Sequence, residues 1–179
     1  MKKLFIIAVV LITGITANKV SAQTTLSATG ALPATLTLTL NPALSITVMT
    51  PDVGLNFETS ADYLDGVKTT QSDHLTFAST SGFSITAKAD GNLKGGTGGE
   101  IPINTVTITP TDGTKKAGGT VTSQRLLATP VTIYTSGSKT TGGTTEASLD
   151  MDYKASGGTD YLNRTGTFTS TITYTITAL

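Results

Sequence analysis

His74 is the one histidine of the chain, and there is no cysteine. A zinc centre built on several imidazoles and any thiolate nucleophile or ligand are thereby excluded. A Ser-His-Asp relay would need a serine held beside His74. Asp73 adjoins it, but no Gly-x-Ser-x-Gly elbow occurs, and the histidine reads as a surface residue at the start of a strand. The glutamates are Glu58, Glu100 and Glu146, each beside an expected loop or strand end, so they read as solvated charges rather than the paired carboxylates of a glycosidase.

Asp62-Tyr63-Leu64-Asp65-Gly66 sets two carboxylates near a glycine turn, as a Ca²⁺ site would, yet it lacks the further spaced ligands and closing glutamate of an EF-hand loop. Asp150 and Asp152 alternate with Leu149, Met151 and Tyr153, which places them on the solvated face of a strand. Gly95-Gly96-Thr97-Gly98-Gly99 is followed by neither Lys-Ser/Thr nor a helix, so it reads as a flexible hairpin connection and not a phosphate cradle. Tyrosine occurs at positions 63, 134, 153, 161 and 174, and tryptophan is absent. Tyr153 and Tyr174 fall in phase with apolar neighbours, the pattern of core or core-rim residues rather than of a sugar-stacking platform. Asn163-Arg164-Thr165 is a glycosylation sequon, with meaning only in a host that modifies it. The expectation is a non-enzymatic protein with no cofactor and no metal.

The elements around these residues are strands. Threonine is the commonest residue, there are 19 glycines, and 13% of residues are charged. β-branched side chains lose rotamer freedom in helices and fit a pleated surface. Residues 166–179 carry the clearest pattern: every odd position from Thr167 to Thr177 is threonine, while Phe168, Ser170, Ile172, Tyr174 and Ile176 occupy the even ones. This reads as one uninterrupted strand with an apolar and a hydroxyl face. Similar alternation marks Leu36, Leu38 and Leu40; Leu44, Ile46 and Val48; Val53, Leu55 and Phe57; Leu75 and Phe77; Phe83, Ile85 and Ala87; Val106 and Ile108; and Leu149, Met151 and Tyr153. Two further strands are expected over residues 121–128 and 131–134, parted by Pro130. Residues 59–66 hold the one expected helix, a turn or two long. Nine or ten strands without an internal repeat predict an all-β chain, a single antiparallel β-sandwich.

Met1-Lys2-Lys3, the apolar run over residues 4–15 and Val20-Ser21-Ala22 before Gln23 have the three-part pattern of a secretory signal peptide. Three segments are expected: a signal peptide, residues 1–22; an N-terminal extension, 23–33; and the sandwich domain, 34–179. The apolar run is shorter than the roughly 20 residues of a spanning helix, so no membrane span is expected after cleavage. Removing Lys2, Lys3 and Lys19 from twelve basic and twelve acidic residues leaves a net charge of −3, which argues against nucleic acid or an anionic membrane surface as a partner. Within the extension Leu26, Ala28, Gly30 and Leu32 alternate and are cut off by Pro33. This arm is a candidate strand that either pairs along an edge of its own domain or inserts beside a neighbour's strand.

With a signal peptide, the alternating arm Leu26, Ala28, Gly30, Leu32 and an alternating closing strand, the chain resembles bacterial pilin or fimbrial-subunit surface proteins. Gly166 lies fourteenth from the end, where usher-assembled pilins tend to carry a glycine before their last strand. The penultimate residue is Ala178 where those pilins usually have tyrosine, and the disulfide that many of them carry is absent. The Thr-Ile-Thr-Tyr-Thr-Ile run is also similar to the closing strand of cell-wall-binding WxL domains, without their Trp-x-Leu motifs. The resemblance implies an Ig-like or pilin-like sandwich, exported to the periplasm, cell surface or medium, that serves as a structural subunit of a surface filament or adhesive layer. It associates with itself or with other surface subunits, with the arm as assembly strand and Phe168, Ile172, Tyr174 and Ile176 bordering the groove that receives it. The alternative is a self-contained module that binds polysaccharide or cell wall.

Overall fold

The computed structural model describes residues 37–41, 43–137 and 143–179. The fold is that of the compact unit Thr39–Leu179. The expected signal peptide and the arm residues Leu26, Ala28, Gly30 and Leu32 lie outside the described residues. The described chain is mostly β, with nine strands and one α-helix.

Two antiparallel sheets form. The first has the order β1 (Leu44–Val48), β2 (Val67–Ser79), β8 (Thr144–Ala155), β4 (Val106–Asp112), β6 (Gln124–Arg125). The second has the order β5 (Thr120–Val121), β7 (Val131–Thr135), β3 (Phe83–Ala89), β9 (Ile172–Ala178). Period-two alternation sends the apolar residues of both sheets to one core: Leu75, Phe77, Ile108, Leu149, Met151 and Tyr153 from the first, Phe83, Ile85, Ala87 and Ile133 from the second. A smaller cluster gathers Ile101, Ala155 and Tyr161, with Phe57, Tyr63 and Phe168 against it.

The helix expected over residues 59–66 is α1 (Ser60–Asp65). Thr59 caps it. The Asp62 carboxylate accepts from the Thr59 and Glu58 amides at 2.6 and 2.8 Å, closing a capping box. The carboxylate weighed as a calcium ligand thus serves as the helix's own cap.

Four expected strands are corrected. Of the Leu36–Leu38–Leu40 run, the described residues 37–41 carry no strand, and Leu38 and Leu40 are 76% and 81% exposed. Val53, Leu55 and Phe57 also lie outside any strand, yet their side chains dock against the two clusters; alternate burial needs an extended chain, not a paired one. The strand expected over residues 121–128 is broken into β5 and β6, two residues each and in different sheets. The closing strand is half the length expected. Gly166 turns the chain at φ 97°, and residues 165 and 169 instead bridge to Thr97 and Lys94 of the glycine-rich connection. Phe168 therefore packs in the smaller cluster, over Gly96, where any Cβ would collide with its ring.

Candidate assembly edge and its buried anchor

In an antiparallel pair each residue turns its N–H and C=O either to its partner strand or away from it. The Asp90 amide donates to the Thr171 carbonyl and the Leu179 amide to the Gly82 carbonyl, both at the margins of the β3–β9 ladder. Thr173, Thr175 and Thr177 therefore bond to β3, while the backbone groups of Ile172, Tyr174, Ile176 and Ala178 point to the open side. At β1 the Thr80 amide donates to the Ala43 carbonyl and the Met49 amide to the His74 carbonyl. By the same parity Leu44, Ile46 and Val48 present their backbone groups away from β2.

These two edges are neighbours. β1 and β9 approach within 8 Å between Cα atoms, yet they belong to different sheets and share no backbone hydrogen bond among the described residues. Their inward side chains are incompletely covered: Leu44 and Val48 are 41% and 38% exposed, and Ile172, Tyr174 and Ile176 are half-buried against the core. Of the predicted groove-bordering residues, these last three share one face of β9 and Phe168 does not join them. Natural sheets protect open edges with short strands, lysine, proline or bulges. The opposite edges, β5 and β6, are two residues long. β9 has seven residues in unbroken register with β3 and carries neither lysine nor proline.

Behind this edge stands His74, which is buried rather than superficial, at 2% exposure. The cause is a bulge. Gln71 pairs with Met151 and Leu75 with Leu149, so Ser72, Asp73 and His74 together oppose Asp150. Asp73 takes φ 46°, a left-handed conformation that aspartate tolerates better than most residues, and its amide donates to the Asp150 carboxylate at 2.7 Å. His74 and Leu75 then both turn inward. The Tyr153 hydroxyl lies 2.9 Å from His74 Nε2 and 2.5 Å from the Tyr174 hydroxyl. A chain of three polar groups thus runs from β2 through β8 to the open strand β9. Burial pushes the Tyr153 hydroxyl up to about 12 and raises Tyr174 as well. His74 Nδ1 is buried with no partner among the described residues.

Tyr153→Phe leaves His74 Nε2 and the Tyr174 hydroxyl without partners at once. It is expected to cost about 1–3 kcal/mol, measurable by urea unfolding. A change within about 0.5 kcal/mol, typical of surface sites, would count against the chain.

The bulge carries a second knot on its outer side. The Asp73 carboxylate accepts from the Ser148 hydroxyl at 2.5 Å and from the Thr114 amide and hydroxyl at 2.8 Å each. The Ser148 bond first, then the two from Thr114, hold its carboxyl below the ordinary 3.8. A depressed carboxyl stabilises the fold above its unfolded value, and that contribution is lost as pH falls through the folded one. Stability should therefore decline on acidification below about pH 4, and Ser148→Ala should shrink the difference between urea midpoints at pH 5 and pH 3. An unchanged difference would remove Asp73 from that transition.

The outer faces of the two sheets differ in charge. Across the first runs Lys68, Lys154, Thr107 and Arg125 in register, with Asp152 2.5 Å from Lys68. Across the second runs Thr177, Ser84, Thr135 and Thr120, with Thr175, Thr86 and Thr132 alongside. Lys88 is the single charged residue in the four strands of that sheet.

Sequence parity alone hid both the bulge and the anchor, although Ser72-Asp73, two turn-formers inside a strand pattern, was a usable signal. No protein-family model and no curated protein sequence matches this chain.

Proposed function

We propose that the chain is a non-enzymatic, exported structural subunit of a surface filament or adhesive layer. Its two sheets stack as a sandwich, and the arm over residues 23–33 supplies a strand to the open edge of a neighbouring copy. The observation that carries this reading is the pair of unprotected edges β1 and β9 side by side, with apolar side chains half-covered between them. An added strand would find outward backbone groups for hydrogen bonding and apolar positions for alternate side chains. The chain's one histidine is engaged in the core, which also speaks for a role without catalysis.

The test compares the chain beginning at Gln23 with a version lacking residues 23–33. The longer chain should form concentration-dependent oligomers in light scattering. The shorter one should stay monomeric and gain thermal stability on addition of a peptide of residues 23–33, as mass action requires. Ala178→Pro, which removes an outward donor without touching the β3 ladder, should weaken oligomers while preserving the fold. A strictly monomeric protein whose stability is indifferent to loss of the arm would sink the proposal.

The second reading, a module that binds polysaccharide or cell wall, is favoured by the nearly uncharged hydroxyl face of the second sheet. Retention on insoluble glycan that is lost when Thr86 and Thr175 are both changed to lysine would support it; passage without retention would count against it.

A further inference from the structure

We propose that His74, Tyr153 and Tyr174 form an acid-sensitive clasp that keeps the seam between β1 and β9 closed, and that protonation of His74 releases it to admit a strand. The regulatory consequence rests on the assembly reading above.

The geometry of the seam calls for such a device. A strand seated between two others needs about 9–10 Å between them, twice the spacing of neighbouring strands in a sheet. β1 and β9 approach within 8 Å where they are closest, so at that point the seam is too narrow for an insertion and must widen first. What spans it from behind is the polar chain. His74 and Tyr153 belong to the first sheet, Tyr174 to the open strand of the second, and the His74 ring packs edge-on to both phenols. The bulged residue is itself tied to β1, because its carbonyl accepts from the Met49 amide at 2.8 Å. Parting β9 from the first sheet breaks the bond between the two phenols.

Protonation weakens this arrangement in two ways. A neutral imidazole can accept from Tyr153 at Nε2, leaving the Tyr153 oxygen to accept from Tyr174; an imidazolium only donates. The bond to Tyr153 would reverse, and one of the two phenol protons would be left without an acceptor in the chain. The added charge would also lie in a buried place without a counter-ion. β1 has no titratable residue and β9 has only Tyr174. On β2 the Asp73 carboxylate is turned to Ser148 and Thr114. On β8, Asp150 holds the Asp73 amide and Asp152 pairs with Lys68 on the outer face. Burial alone lowers the histidine's affinity for a proton below the ordinary 6.5. A closed seam therefore disfavours the proton, an open one takes it up, and closure weakens as pH falls below about 6.5. No other side chain has an ordinary pKa between pH 5 and 8, so the response in that window belongs to His74.

The test is hydroxyl-radical labelling of the intact chain at pH 7.5 and 5.5, normalised to the unfolded chain, following the seam side chains Ile46, Ile172 and Ile176 with the buried Ile85, Leu149 and Tyr134 as core reference. Protection of the seam should fall by up to about tenfold per pH unit below 6.5 while the core reference holds. His74→Gln, which retains a polar group without titrating, should remove the pH dependence. Tyr174→Phe, which keeps the ring and cuts the bond, should lower seam protection already at pH 7.5; it decides the matter if the glutamine variant does not fold. Seam protection equal at both pH values, a pH dependence that survives His74→Gln, or a Tyr174→Phe protein as protected as the parent would overturn the clasp. Light scattering on the same samples separates the two proposals. A pH-dependent seam without oligomers at either pH keeps the clasp and removes the filament reading. Oligomers that form equally at both pH values over an unresponsive seam keep the filament and remove the clasp.

Discussion

Replacing Phe83 with alanine is expected to lower stability by about 3–5 kcal/mol, the largest loss from any single truncation in this core. Phe83 has no exposed surface. Its ring centroid lies 5.4 Å from that of Phe77 and 5.5 Å from that of Tyr134, so the truncation opens a cavity where the two sheets share an aromatic cluster. The surrounding strands are fixed by pairing on both sides of β3 and have little freedom to collapse into it. With a total stability of about 5–15 kcal/mol for a typical domain, much of the margin would go, and the thermal midpoint should drop on the order of 10 °C. Calorimetry against Ser84→Ala, on the outer face of the same strand and expected within about 0.5 kcal/mol, isolates the packing effect. A loss below about 1 kcal/mol in Phe83→Ala would mean that the cluster is not the keystone of the core.

Gly66→Ala should be nearly as damaging, for a reason of backbone rather than volume. Gly66 ends α1 at φ 82°, ψ 175°, a region open essentially to glycine alone. A Cβ there would run into the Ala155 carbonyl and the Gly157 amide, and one at Gly157 would meet the Leu64 carbonyl. The helix exit and the end of β8 thus press backbone on backbone, further tied by the Gly158 amide donating to the Tyr63 carbonyl at 2.8 Å. Strain and collision together are expected to cost about 2–5 kcal/mol, read as a lowered urea midpoint. Gly91→Ala, where a Cβ meets open space, is the control, and equal effects at the two glycines would refute the argument.

The residues that could be read in advance are those whose burial follows strict alternation. β3 and the β8 stretch from Leu149 to Tyr153 face as their sequence predicts, because each is paired on both sides and a one-residue slip would turn its whole apolar set outward. The short helix was also legible, since its capping residues are local. What escaped depends on partners distant in sequence. His74 turns inward only because β8 offers Asp150 to hold the bulge. Residues 166–171 leave the strand because Thr165 and Thr169, on either side of the Gly166 turn, pair with Thr97 and Lys94 of the glycine-rich connection. Leu38 and Leu40 alternate as regularly as any strand, but alternation without a partner makes no strand among the described residues. For the candidate edge, the alternation of Ile172, Tyr174 and Ile176 was visible, whereas its openness is a property of sheet order.

Sheet order also bears on how the chain reaches this state. The two strands at the heart of the first sheet, β2 and β8, are joined by a segment that contains the whole of β3 to β7, and Val67 must find Ala155 across it. Closing so long a loop precedes any reward from the pairing, so folding should be slow for a domain of this size. Until β8 arrives, β2 is bare on one side, and a newly made chain passes through a period in which a central strand, and not only the native rims, is open to wrong partners.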